Sequence, residues 1–315
     1  MLPPGTPLQI RNVQPKVSSI EFVLASLGWP ASERTAQVAT METSLQQTQA
    51  AGVLLLAAYR NDVPVAALLA HSLPGRTAAI WPLGMAAGES ESTATALFSE
   101  LHLRLAQSGT TLCQALVPAS DDPASGRWRG AGYQQGANLL YMTCEAANLP
   151  TQSPHQADLH FAPTQPGDED QLSQLVERTY EKTLDCPLLN GMRQGSDVLE
   201  GYRQGGAFRP ELWFQIQRVT DKGRLPIGCL FLMEHPANRN LELVYFGLVP
   251  EARGRGLGRQ IVQRAMWEAR QAGVERLVLA VDATNTPAID IYSAAGFWVW
   301  NERRLWVRSI ADVKS

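Results

Sequence analysis

The apolar residues Leu257, Ile261, Val262, Ala265, Met266 and Ala269 recur at steps of four, one, three, one and three. That spacing predicts an amphipathic helix with a single buried face. Gly273 stands just past it, where a left-handed residue closes a helix. Upstream, the apolar run Leu241–Val249 ends at Pro250 and predicts a strand. Downstream, Glu275–Val281 predicts another, buried one. A short helix should follow, with Thr286 as N-cap, Pro287 at its first position and an end near Gly296.

Elsewhere the periodicity predicts helices at 18–27 and 33–49. Strands are expected at Gly52–Tyr59 and Val63–Ala70 around an Asn61-Asp62 turn, and a third at Thr77–Met85. Thr93–Gln107 reads as a helix closed by Gly109, Leu112–Val117 as a strand, 121–130 as a short helix and Asn138–Cys144 as a strand. The stretch EAANLPTQSPHQA at 145–157 is small, polar and proline-containing, and a linker is placed at 148–157. It separates a first domain, 1–147, from a second, 158–315. In the second, Leu159–Pro163 reads as a strand and Asp168–Thr183 as a helix, and a loop-and-helix region fills Leu184–Arg209. Glu211–Val219 and Leu225–Met233 form a hairpin around Asp221-Lys222-Gly223.

The two halves repeat. Shifted by 164 positions, residues 273–297 match seven of 25 positions in the first half, including Gly273 on Gly109, Pro287 on Pro123 and Gly296 on Gly132. Tyr292 then faces Trp128, and Phe297 faces Tyr133. The glycine-rich turn 253–258 falls on Glu89-Ser90-Glu91-Ser92-Thr93-Ala94, which has no glycine and two carboxylates. Like charge disfavours an anion there.

Composition narrows the function classes. At 315 residues and 45% apolar the chain suits two domains. A net charge of −3 gives no general attraction to nucleic acid or to an anionic membrane. No apolar run reaches the length of a membrane span, and MLPPGTPLQI lacks the pattern of a signal peptide. Cys113, Cys144, Cys186 and Cys229 are widely spaced, and no His-x-x-x-His pair occurs, so no metal and a reducing, cytoplasmic setting are expected.

The turn Arg253-Gly254-Arg255-Gly256-Leu257-Gly258 joins the strand to the helix. Unpaired N–H groups, the positive end of the helix dipole, and Arg253, Arg255 and Arg259 make it a cradle for a diphosphate. A P-loop would need Lys-Ser or Lys-Thr after Gly258, and a dinucleotide fold a glycine at Arg259. The run instead resembles the Arg/Gln-x-x-Gly-x-Gly/Ala loop of the GNAT-type N-acetyltransferases. The pattern Asn285, Ala288, Tyr292 and Gly296-Phe297 is similar to that family's second signature.

The resemblance covers roughly residues 158–310. It implies an α+β (mixed α/β) fold class: tandem GNAT folds, each a mixed, mostly antiparallel central sheet flanked by helices. The first half is degenerate, as in the tandem acetyltransferases related to mycothiol synthase. It also implies acetyl-coenzyme A as cosubstrate, with its pyrophosphate on residues 253–259, its pantetheine arm near Asn285 and Ala288, and its sulfur near Tyr292. Acceptance of the acetyl group by a primary amine of a small molecule or peptide follows. Glu242 takes the place of the family's catalytic glutamate as base. Alternation along the strand puts it on one face with Val244, Phe246 and Leu248. Tyr292 is the candidate acid, and the backbone N–H of Leu248 or Val249 the candidate oxyanion donor. Asp185 and Arg193 are candidates for binding an acceptor's ammonium and carboxylate. A non-catalytic sensor of acyl-coenzyme A remains the alternative. A monomer whose halves stand in for a dimer is expected, with a homodimer also possible.

Overall fold

The computed structural model describes residues 7–14, 52–119, 125–154 and 159–311. The helices expected at 18–27 and 33–49, the start of the one at 121–130 and the end of the 148–157 linker lie outside them. The architecture is mixed α/β, with mostly antiparallel strands and, among the described residues, six helices. The chain forms two compact units: Met1–Gln135 with Leu305–Ser315, and Gly136–Arg304.

In the first unit the strands are β1 (Gln9–Val13), β2 (Val53–Arg60), β3 (Val63–Leu73), β4 (Thr77–Ile80), β5 (Gly84–Met85) and β6 (Leu112–Pro118). Neighbours from β1 to β4 pair antiparallel, β4 and β6 pair parallel, and β5 lies against β3. The strand expected over Thr77–Met85 is thus two short ones, broken around Pro82, which has no N–H for a ladder. Asn61 and Asp62, at φ 50° and 61°, make the two-residue hairpin turn between β2 and β3. Helices α1 (Glu91–Gln107) and α2 (Ser125–Gly130) bury Leu97, Leu101, Leu105 and Trp128 in this unit's core, and Trp306 joins them.

In the second unit the order is β8 (Leu159–Pro163), β9 (Trp213–Thr220), β10 (Gly223–His235), β11 (Asn240–Leu248), β12 (Arg276–Asp282) and β7 (Gln134–Glu145). All neighbours are antiparallel except β11 and β12, which run parallel. Helices α3 (Glu169–Tyr180) and α4 (Gly195–Arg203) pack Leu172, Val176, Val198 and Leu199 onto one sheet face, against Trp213, Phe231 and Met233. Helix α5 (Leu257–Ala272) packs on the other face with α6 (Thr286–Ala294). The six buried residues of α5 are the six of the expected stripe, and Gly273 closes it at φ 67°. The cap of α6 is Asn285, not Thr286.

The units do not divide at 148–157. Shifted by 164 positions, β6 coincides with β12 end for end, and β7 with β13 (Trp298–Ser309). Yet β7 pairs with β12 in the second unit, while the end of β13 from Leu305 lies in the first unit, where Trp306 is fully buried. The second unit takes β7 from the first repeat, and the first unit takes the end of β13 from the second.

Candidate functional site

Gly254 and Gly256 sit at φ 72° and 74°, in the left-handed region that side chains avoid. This alternation aims successive N–H groups at one side of the turn, as in an anion nest. Gly256 is also the N-cap of α5, and no side chain caps the helix there. The first-turn N–H groups from Leu257 onward are therefore left for another acceptor. Gly258 serves packing: a Cβ there would lie 2.8 Å from Ile291 Cδ1 of α6. Arg255 and Arg259 are exposed beside the turn.

Arg253 departs from expectation. Its guanidinium does not face the turn but donates to Leu248 O (2.9 Å), Thr179 O (2.8 Å), Glu181 O (2.8 Å) and Lys182 O (3.0 Å). It ties the C-terminal end of α3, whose last carbonyls lack helical partners, to the end of β11.

Just upstream, β11 and β12 part. Their parallel pairing runs from Asn240 with Arg276 to Leu243 with Leu279 and stops, although both strands continue. At the same place Phe231 of β10 faces Tyr245 and Leu232 faces Leu243, so Val244 is the extra residue of a β-bulge. The bulge overturns the expected alternation. Phe246 and Leu248 pack on the α5 face, while Val244 packs with the α3 and α4 cluster. Glu242 lies between Leu241 and Leu243, both on the α5 face, and so points to the opposite one. Val249 N–H is bonded to Ile227 O at 2.9 Å, and Gly228 stands opposite Leu248. Antiparallel alternation then turns the Leu248 N–H away from β10, toward the opening between the strands.

The loop after α3 closes on the end of β12. Asp185 Oδ1 accepts from Asp282 N–H (2.9 Å), and Asp282 Oδ2 accepts from Cys186 N–H (3.1 Å). Asp282 Oδ1 also holds Thr284 through its N–H (2.9 Å) and hydroxyl (2.8 Å). Asp185 is further bonded to the Asn285 side chain, and burial first, then the Asp282 charge, push its carboxyl upward. Asp185, the expected ammonium ligand, braces this loop. Asn285, Ala288 and Tyr292 are brought together on α6. Tyr292 is buried, and burial, then the Asp185 charge, raise its phenol well above the usual range, so it keeps its proton. Arg193, at the other end of the loop, has a buried Nε without a partner and acts electrostatically on Tyr180 and Tyr202.

Glu242 has a partner the sequence did not disclose. His235 Nε2 lies 2.7 Å from Glu242 Oε2, and this bond raises the imidazole pKa. Hairpin register brings the two together, and nothing in the spacing of one histidine and one glutamate announces that. The corresponding turn of the first unit is chemically closed. Ser90 caps α1 by accepting from Ser92 N–H (3.2 Å). Glu89 is bonded to Arg60 (2.9 Å) and Thr93 (2.7 Å), and Glu91 to Arg127 (2.9 Å).

Residues 177–297 match the acetyltransferase (GNAT) family. A curated mycothiol acetyltransferase of Jonesia denitrificans is 33% identical over 90 residues, 29% of this chain and 28% of that protein. One from an Arthrobacter species is 37% identical over 99 residues, 29% of this chain and 30% of that protein. The aligned stretches span less than a third of these relatives. Among solved structures, a GCN5-related N-acetyltransferase from Sphaerobacter thermophilus is 18% identical with a TM-score of 0.59, covering 96% of each chain. A tandem GNAT protein from the clavulanic acid biosynthesis pathway is 14% identical with a TM-score of 0.51, covering 96% of this chain and 99% of that one. At such identities these two speak for the fold alone.

Proposed function

We propose, on the premise that residues 177–297 form a domain of the acetyltransferase (GNAT) family, that the chain transfers an acetyl group from acetyl-coenzyme A directly to a primary amine of a small molecule or peptide. The observation that carries this reading is the uncapped, glycine-built turn feeding α5 beside strands that part. Acetyl-coenzyme A supplies the acyl group as an activated thioester. The N–H groups from Gly254 to Gly258 hold its pyrophosphate, with Arg255 and Arg259 adding charge. Asn285, braced by Asp185, and Ala288 line the arm.

Leu248 N–H donates to the carbonyl oxygen as negative charge develops. Tyr292 holds a proton for the departing sulfur. Glu242, bonded to His235, receives the proton of the acceptor's ammonium. Six residues of strand separate Glu242 from Leu248, about 20 Å at roughly 3.3 Å per residue. The proton therefore travels through water. Val249 is left without an oxyanion role because its N–H is already bonded.

Calorimetry with acetyl-coenzyme A, followed by an amine screen, tests the reading. One site per chain and turnover with some amine are expected. Tyr292→Phe should then keep the affinity and lower kcat by about tenfold to a hundredfold. An unchanged kcat would remove the acid role. Binding without turnover for any amine would favour the acyl-coenzyme A sensor.

A further inference from the structure

The loop from α3 to α4 is fastened on either side of Arg193. Asn190 Nδ2 donates to Tyr180 O (3.0 Å), and Gly195 N–H donates to Glu177 Oε1 (2.7 Å). Gly195 also packs closely, since a Cβ there would lie 2.5 Å from Ser173 Oγ. Arg193 is thus held at the end of α3, and its buried Nε has no acceptor among the described residues. In the same neighbourhood Tyr180 Oη and Tyr202 Oη stand 3.3 Å apart, and neither has another hydrogen-bond partner among those residues. Two hydroxyls facing each other share one hydrogen, so the second hydrogen is left without an acceptor. Burial, first of all, raises both phenols, so both hydrogens stay in place, and the Arg193 charge reaches both hydroxyls. The carboxylates beside the loop are engaged elsewhere, Glu177 with Gly195 N–H and Asp185 with Asp282 N–H (2.9 Å). The cluster holds donors and a full positive charge, and what it lacks is an acceptor. Arg193, Tyr180 and Tyr202 each keep part of their surface open, so a ligand can reach them.

We propose that Arg193 and the Tyr180–Tyr202 pair hold an anionic oxygen group, a carboxylate or a phosphate, carried by the acceptor amine. The inference rests on the transferase reading and names the substrate class of that site. A guanidinium offers such a group two parallel donors, and the spare tyrosine hydroxyl adds a third. The place suits the chemistry. Tyr245 packs against both tyrosines, with ring centroids at 5.5 and 5.7 Å, and precedes Leu248 by three residues, about 10 Å of strand. Arg253 fastens the end of α3 to the same strand end through Thr179 O and Leu248 O. An acceptor anchored by its anion at Arg193 therefore needs only a short span to bring its amine to the thioester. A neutral or purely cationic amine leaves these donors unanswered.

Acetylation rates of the full chain test this, with common primary amino acids each paired with its amide, and phosphoethanolamine paired with ethanolamine. In the wild type at least one anionic acceptor should exceed its neutral counterpart by about tenfold or more in kcat/KM. Preference for an amino acid identifies a carboxylate, and preference for phosphoethanolamine a phosphate. Arg193→Gln should abolish that preference, chiefly through KM, while calorimetry shows unchanged affinity for acetyl-coenzyme A. Arg193→Lys, which keeps the charge but loses the paired donors, should raise KM by a smaller factor for the anionic acceptor alone. It carries the comparison should Arg193→Gln fail to fold. Equal rates within every pair, or losses in the Arg193 variants that ignore the anion, would overturn the inference and leave the transferase reading standing. So would loss of acetyl-coenzyme A affinity in Arg193→Gln at unchanged stability in urea, since the anion would then belong to the coenzyme. A wild type that binds acetyl-coenzyme A and acetylates no amine would overturn both.

Discussion

The N-termini of α1 and α5 occupy the same place in two copies of one repeat, yet they are built for opposite ends. At α1, Ser90 caps the helix and Glu89 and Glu91 are each held by an arginine. At α5 the cap is a glycine with no side chain to offer, a second left-handed glycine stands two residues before it, and two arginines stay exposed. A helix end that satisfies its own N–H groups is stable and unavailable, and one that does not is available to an anion. The same backbone serves either purpose, and about six residues decide which.

The largest test of that contrast is Gly254→Val with Gly256→Val. Both positions lose a conformation that only glycine adopts cheaply, and the N–H groups turn away. Affinity for acetyl-coenzyme A should fall at least a hundredfold in calorimetry. Retained affinity would mean that the first unit binds it after all. Next is Arg253→Ala. Since four carbonyls lose their donor, urea unfolding should show a loss of about 2–3 kcal/mol, with little change in affinity per folded molecule. A large loss of affinity at unchanged stability would return this side chain to the diphosphate.

Glu89→Gln is the smallest, at about 1 kcal/mol, because the Arg60 pair is partly open to solvent. Arg60 holds the Glu89 carboxyl down at about 2, below its ordinary 4.5. A depressed carboxyl stabilises the fold above its unfolded value and stops doing so as pH falls through the folded one. The wild type should therefore lose stability between about pH 5 and 2 more steeply than Glu89→Gln. Parallel acid limbs for the two proteins would show that the pair contributes nothing.

Much of this was legible in the sequence. The stripe of α5 and its capping glycine follow from side-chain period and backbone sterics, which are local. That the matching turn of the first unit differs was equally readable, because two carboxylates and no glycine stand at 89–94. The bulge at Val244 was not, since an inserted residue leaves the apolar run unbroken and shows only in the register with β10. Arg253 reads as a free cation until the carbonyls ending α3 arrive from 71 to 74 residues away in sequence. The brace between Asp185 and Asp282 and the pair of His235 with Glu242 are likewise made by chain reversal. The strands β7 and β13 have equivalent places in the repeat, so pattern alone cannot say which unit either one completes.

That last ambiguity has a genetic meaning. A duplicated gene normally leaves two modules that recombination can separate again. Here a break in the linker near 148–157 would strip β7 from the unit that carries the glycine turn and leave Leu305–Ser309 on the wrong fragment. The first copy, whose own turn is capped by Ser90, supplies a strand to the second unit. Deleting it would take that strand away as well.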